Sequence, residues 1–118
     1  MYNSTDGRMG VDVDVDVDNM ATFIRAPFKS DLQQVPGVGP VTIARLRAAG
    51  VTSAYQLLGK FLMLHADADT SRVHCELFWS WLEAIGTPQG DRRTIVTAMA
   101  EKAACVIPGI YDPSCFAE

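Results

Sequence analysis

The sequence is poor in everything that metal, disulfide or nucleophilic chemistry requires. It holds two histidines, His65 and His74, and three cysteines, Cys75, Cys105 and Cys115. No CxxC occurs, and the adjacent His74–Cys75 pair is not a zinc spacing. An odd, widely spaced set of cysteines reads as reduced thiols in an intracellular protein. No Ser/His/Asp or Cys/His arrangement stands out, and no GxxxxGK[ST] phosphate loop occurs. Asp67 and Asp69 resemble a fragment of a calcium loop, but the required Gly and terminal Glu do not follow. No catalytic residue, metal site or cofactor is therefore expected. Apolar runs stay far below the roughly 18 residues of a membrane span. No basic flank precedes an apolar run at the N-terminus, so neither membrane insertion nor secretion is expected.

What the chain does have is 118 residues at 48% hydrophobic, enough for one domain with one modest core. Its net charge of −4 taken alone argues against nucleic acid. The placement of the charge argues the other way. Residues 1–21 hold Asp6, Asp12, Asp14, Asp16 and Asp18 against Arg8, which leaves the rest of the chain neutral. From residue 32 to residue 64 there is no acidic residue, while Arg45, Arg47 and Lys60 are present.

Residues 1–19 read as a disordered acidic tail. The repeat VDVDVDVD has the period of a strand, but it places four like charges on one face and has no partner strand. Residues 20–28 suggest a short helix anchored by Phe23, Ile24 and Phe28. Pro40 suits the first position of a helix that carries Ile43 and Leu46 and stops at Gly50. Ser53 and Gln56 form a capping-box pattern. The helix they open, with Leu57, Leu58, Phe61 and Leu62, is too apolar for one face and is expected to be buried on most sides or partly in a dimer. A polar loop at residues 65–70 is expected to leave His65 and His74 solvated. Residues 71–85 repeat apolar side chains at helical spacing, with Trp79 between the apolar positions as a peripheral or partner contact. Thr87 resembles an N-cap followed by Pro88, ahead of a long last helix. Residues 106–118 read as a C-terminal tail. No strand pair is visible, so the expected fold is all-α: one compact five-helix domain over residues 20–105.

The motif that carries chemistry is residues 35–46, VPGVGPVTIARL. It has the h-x-G-h-G form of a helix-hairpin-helix turn. Its glycines let the chain approach a phosphate closely. The turn aims backbone N–H groups at an anion beside the N-terminus of the Pro40 helix. Gly37, Gly39, Val41 and Thr42 are the expected donors, Val38 stiffens the turn, and Arg45 reaches an adjacent phosphate. None of these contacts reads a base, so sequence-independent binding of double-stranded DNA is expected. A turn used only for packing, or for protein contacts, is the competing reading. Val41 stands where such motifs often carry Lys.

Residues 51–64 (VTSAYQLLGKFLML) and 77–82 (LFWSWL), with the hairpin and the upstream Phe23 and Pro27, closely resemble the barrier-to-autointegration-factor family. The similarity covers roughly residues 19–104. A loop insertion near residues 66–74 and both tails fall outside the family pattern. The resemblance implies a SAM-like five-helix domain that forms a homodimer, binds duplex DNA without sequence preference, bridges duplexes and organises chromatin. It also implies LEM-domain or chromatin proteins as partners, and a place in the nucleus and cytoplasm. Leu58, Phe61, Leu62 and Trp79 are the expected dimer or partner contacts. The family's hairpin glycines match Gly37 and Gly39, and its basic residue on the second hairpin helix matches Arg45. Its second DNA contact falls near Gln89 and Gly90, with Arg92 and Arg93 close by, but Asp91 stands where the family has Lys. Asn19 replaces another family Lys, and Asp16 and Val17 replace phosphorylatable hydroxyls. A dimer that has lost most DNA binding and serves protein contacts is the alternative these departures raise.

Overall fold

The computed structural model describes residues 17–116, and the regular elements there are all helical. They are α1 (Val17–Arg25), α2 (Pro40–Ala48), α3 (Ala54–Leu64), α4 (Ser71–Ala84) and α5 (Gln89–Val106). Short 3-10 turns lie at Leu32–Gln34, His65–Asp67 and Pro113–Phe116. The expected all-α, five-helix architecture is what forms. The expected disorder of the first sixteen residues lies outside the described residues.

Local chemistry explains most boundaries. The Ser53 hydroxyl accepts from the Gln56 amide and the Gln56 side chain accepts from the Ser53 amide, closing the capping box of α3. Thr70 caps α4 by accepting from the Val73 amide. Gly50, at φ +87°, stops α2, and the Val51 amide turns back to the Leu46 carbonyl. Gly86 does the same for α4, with the Thr87 amide on the Leu82 carbonyl. Thr87 is thus spent on ending α4. Contrary to expectation, Pro88 rather than Thr87 is the N-cap of α5.

Helix α1 starts at Val17, three residues before the expected Met20, and stops at Arg25. Pro27 disfavours helical geometry at Ala26. A second cause lies on α5. Lys102 is buried, and its ammonium donates to the carbonyls of Phe23, Ile24 and Ala26. It also lies 5.1 Å from the centroid of the Phe23 ring. A cation on the last carbonyls of a helix meets both their unmet hydrogen-bond demand and the negative end of the dipole.

The core forms around α5, which packs against α1, α3 and α4. Ala98, Ala100 and Ala103 let neighbouring helices come close, while Ile95, Val96 and Met99 fill the space between. Phe61 and Phe78 pack edge to face with centroids 5.2 Å apart. Each such fully buried side chain stabilises the fold by about 1.5–3 kcal/mol.

Three expectations fail here for reasons of packing. His74 is buried rather than solvated. Its ring stacks on Phe61 at 3.9 Å and its Nε2 lies 2.6 Å from the Phe61 carbonyl. Residues 107–116, expected as part of a C-terminal tail, lie against the body, where Tyr111 and Phe116 are buried. Arg72 donates twice to the Cys115 carbonyl and lies over the Phe116 ring, and the Asp112 amide donates to the Ser71 hydroxyl. Leu58, Phe61 and Trp79, expected at a partner surface, are spent on the chain's own core; of that set only Leu62 stays half-exposed.

Candidate nucleic-acid interface

The hairpin is a β-turn closed by the Val38 amide on the Val35 carbonyl, 3.1 Å. Pro36 and Gly37 are its central residues, and Gly37 has φ +88°, the arrangement of a type II turn. A Cβ on Gly37 would lie 3.0 Å from Thr94 Cβ, 3.1 Å from Ile95 Cγ1 and 3.2 Å from the Asp91 carbonyl. Gly37 is therefore a wedge that seats the turn on the first turns of α5. Val38 packs against the core, as a stiffening residue should. Gly39 is the N-cap of α2, in extended geometry with no side-chain acceptor, and a Cβ there would meet nothing within 4 Å.

This leaves the start of α2 open. Pro40 has no amide to satisfy, and the next amides, of Val41 and Thr42, belong to the first helical turn that has no intrahelical acceptor. Val41 is exposed at the surface, while Thr42 is buried as a whole residue, so the expected Thr42 donor is covered in this structure. The two N-terminal turns, of α2 and α5, stand side by side because Gly37 locks one to the other. Both present the positive ends of their dipoles.

Arg45 is exposed at the other end of α2. Its side chain runs over Gly86, where a Cβ would lie 3.3 Å from the arginine Nε. Gly86 is a position beside Arg45 that the hairpin motif does not single out. The Gly-Thr-Pro sequence after an apolar helix is its signal, because a glycine stop leaves room above it. Gln89 and Gly90 are exposed at the N-terminus of α5.

The two arginines expected beside them are placed otherwise. Arg92 is half-buried in the α4–α5 corner, donating to the Thr87 carbonyl at 2.9 Å, 3.7 Å from Glu83 and stacked over Trp79 at 4.9 Å. It braces that corner. Arg93 is only 3% exposed, which removes it from the surface. The reason is register: residues 92 and 93 are neighbours on a helix that is buried on most sides. Asp91 is half-buried at the same terminus. Burial raises its pKa, with the nearby Thr42 hydroxyl partly offsetting the rise.

No group of side chains suited to hold a metal ion occurs among the described residues. A backbone anion site of this kind needs none, since amides, helix ends and one guanidinium supply the positive potential. A family model described as "Barrier to autointegration factor" matches residues 17–106. No curated protein and no solved structure matches the chain.

Proposed function

The chain belongs to the barrier-to-autointegration-factor family, a family of non-enzymatic, DNA-binding chromatin proteins, and from that premise we propose that it grips duplex DNA through the hairpin without reading sequence. The observation that carries the proposal is the open N-terminus of α2 behind a turn that Gly37 locks onto α5. The donors are the amides around Gly39 and Val41, with Gln89 and Gly90 beside them and Arg45 over Gly86. A salt titration of duplex binding tests it. Neutralising a few phosphates gives a log–log slope of about −3 to −5 per protomer. Arg45→Glu should damage binding while helicity is kept. A flat salt response, or no binding at low salt, would sink the reading.

Dimerisation and bridging belong to the same proposal. On α3, Tyr55 and Met63 are 54% and 71% exposed, with Gly59 and half-buried Leu62 on the surface between them. A Cβ on Gly59 would meet nothing within 4 Å. An exposed apolar strip with a glycine at its centre suits close approach of a second copy. Two copies joined there carry two hairpins and so hold two duplexes, and the same dimer offers a surface to LEM-domain or chromatin proteins in the nucleus. Gly59→Glu should give a monomer by light scattering that still binds one duplex but no longer bridges.

A second reading has one observation in its favour. Asp91 sets a carboxylate at the α5 N-terminus, where a phosphate would be repelled. If duplex binding fails, dimerisation and protein contacts remain as the function of the fold.

A further inference from the structure

The hairpin has two flanks of different character. On the first, Gly37 is wedged against α5 and Arg45 covers Gly86. On the second lies an open groove of about 450 Å³, lined by Gln33, Val38, Gly39, Pro40, Ile43 and Arg47. Val38, Pro40 and Ile43 give it an apolar floor. Arg47 is the one charged residue among its lining. At 3.6 residues per turn, positions 45 and 47 leave α2 on nearly opposite sides, and the two arginines accordingly serve different flanks.

The charge of the two flanks differs. The first carries Asp91 beside its helix terminus. The second is built wholly from the stretch of residues 32–64, which contains no aspartate or glutamate. Gly39 belongs to both the groove and the start of α2, so a strand lying over the amides at that start is led directly into the groove. The lining chemistry suits what such a strand offers next. A deoxyribose presents an apolar edge, and the phosphate beyond it pairs with a guanidinium.

We propose that this groove is a second contact for the sugar–phosphate backbone of duplex DNA, with Arg47 on a phosphate and Val38, Pro40 and Ile43 against the adjoining sugar. The inference rests on the DNA-binding reading above and extends it to the flank free of acidic residues. Arg47 would then compensate for the charge that Asp91 costs on the other side.

The test uses the full chain and a short mixed-sequence duplex, followed by fluorescence anisotropy across a salt series. Arg47→Ala should make the log–log slope shallower by about 1, the loss of one phosphate contact. Gln33→Glu places an acid on the wall of the groove and should weaken binding several-fold at low salt. Cys105→Glu adds the same charge in the last turn of α5, about 24 Å along the helix from its start, and should weaken it far less. Circular dichroism confirms that each variant is folded. If the intact chain does not bind duplex at all, the DNA reading falls and this inference with it. If the intact chain binds, but Arg47→Ala keeps the full slope and the two Glu variants behave alike, the groove proposal alone is overturned. The same holds if Arg47→Ala instead abolishes capture of a Glu-rich peptide while leaving the duplex slope unchanged.

Discussion

Gly37 and Gly39 sit two residues apart and do different work. Gly37 is needed for its positive φ and for space, since a methyl group would strike Thr94, Ile95 and the Asp91 carbonyl. Gly37→Ala should therefore cost about 1–3 kcal/mol, of the order of other overpacking and left-handed backbone strain, and lower the melting temperature by several degrees. Gly39 has ordinary extended geometry and open space. Gly39→Ala should leave the melting temperature nearly unchanged, within about 1 kcal/mol for a weaker N-cap. It should still weaken duplex binding, because the new methyl stands where the phosphate approaches. Equal melting temperatures for the two variants would refute this division. His74 gives a second residue-scale test. Its Nε2 meets the Phe61 carbonyl in the last turn of α3, so that nitrogen must carry the proton and donate. Burial holds its pKa below the usual value, the carbonyl bond partly countering it and His65 adding to it. The unfolded imidazole, at about 6.5, therefore takes up a proton before the folded one does. Stability is full above that pH and is lost as pH falls through it. Thermal melts should show the midpoint dropping between about pH 7.5 and 5.5, either side of that value. In His74→Phe the drop should largely vanish, although the variant starts lower because the Phe61 carbonyl loses its donor. A pH-independent midpoint in the intact chain would contradict the assignment.

At the scale of elements, the decisive one is the first turn of α5. It contributes exposed Gln89 and Gly90 to the candidate interface, yet carries Asp91. Because burial raises the Asp91 pKa, its carboxyl takes up a proton at a higher pH than an ordinary aspartate. Acidification should thus remove negative charge beside the phosphate sooner than an ordinary aspartate would allow, and tighten duplex binding. Asp91→Asn should bind more tightly than the intact chain at neutral pH and show a flatter pH profile in anisotropy titrations. If both proteins share one profile, Asp91 does not face the duplex. Elements α2 to α5 are legible in the sequence because apolar spacing coincides with physical stops and starts: Pro40, Gly50, the Ser53–Gln56 box and Gly86. The departures from expectation have equally definite causes. Tyr111 and Phe116 are isolated aromatics among prolines and glycines, so no periodicity announces that they are buried; core packing and the contacts of Ser71 and Arg72, far away in sequence, hold their segment in place. Lys102 interrupts an apolar face with a charge whose partners, the α1 carbonyls, lie more than seventy residues away. Spacing alone puts Trp79 outside because it gives α4 a single buried face, whereas Arg92 from α5 closes the flank. Spacing identifies the elements, and long-range contacts decide which of their side chains remain available to a ligand.

The whole molecule is electrostatically divided between an acidic N-terminal stretch and a hairpin region without acids. Helix α1 begins at Val17, so the residues before it carry Asp6, Asp12, Asp14 and Asp16 against Arg8. Asn19, in the first turn of α1, shares a small cleft with Lys29 and Gln34, the segment that leads into the hairpin. The acidic stretch is thus tethered close to the surface proposed to meet DNA. A tethered group acts at an effective concentration of the order of millimolar, so the acidic stretch is expected to compete with phosphate for the same cations and helix ends. Removing residues 1–16, which leaves α1 whole, should tighten duplex binding at low salt. The gain should shrink as salt rises and the Debye length falls to a few ångströms. Changing the four aspartates to asparagine in the full-length chain should reproduce the gain, because the effect is one of charge. If truncation tightens binding but the asparagine chain does not, the stretch acts by bulk. If neither variant changes affinity at low salt, it does not restrain the hairpin at all, and the electrostatic division of the chain has no bearing on DNA binding.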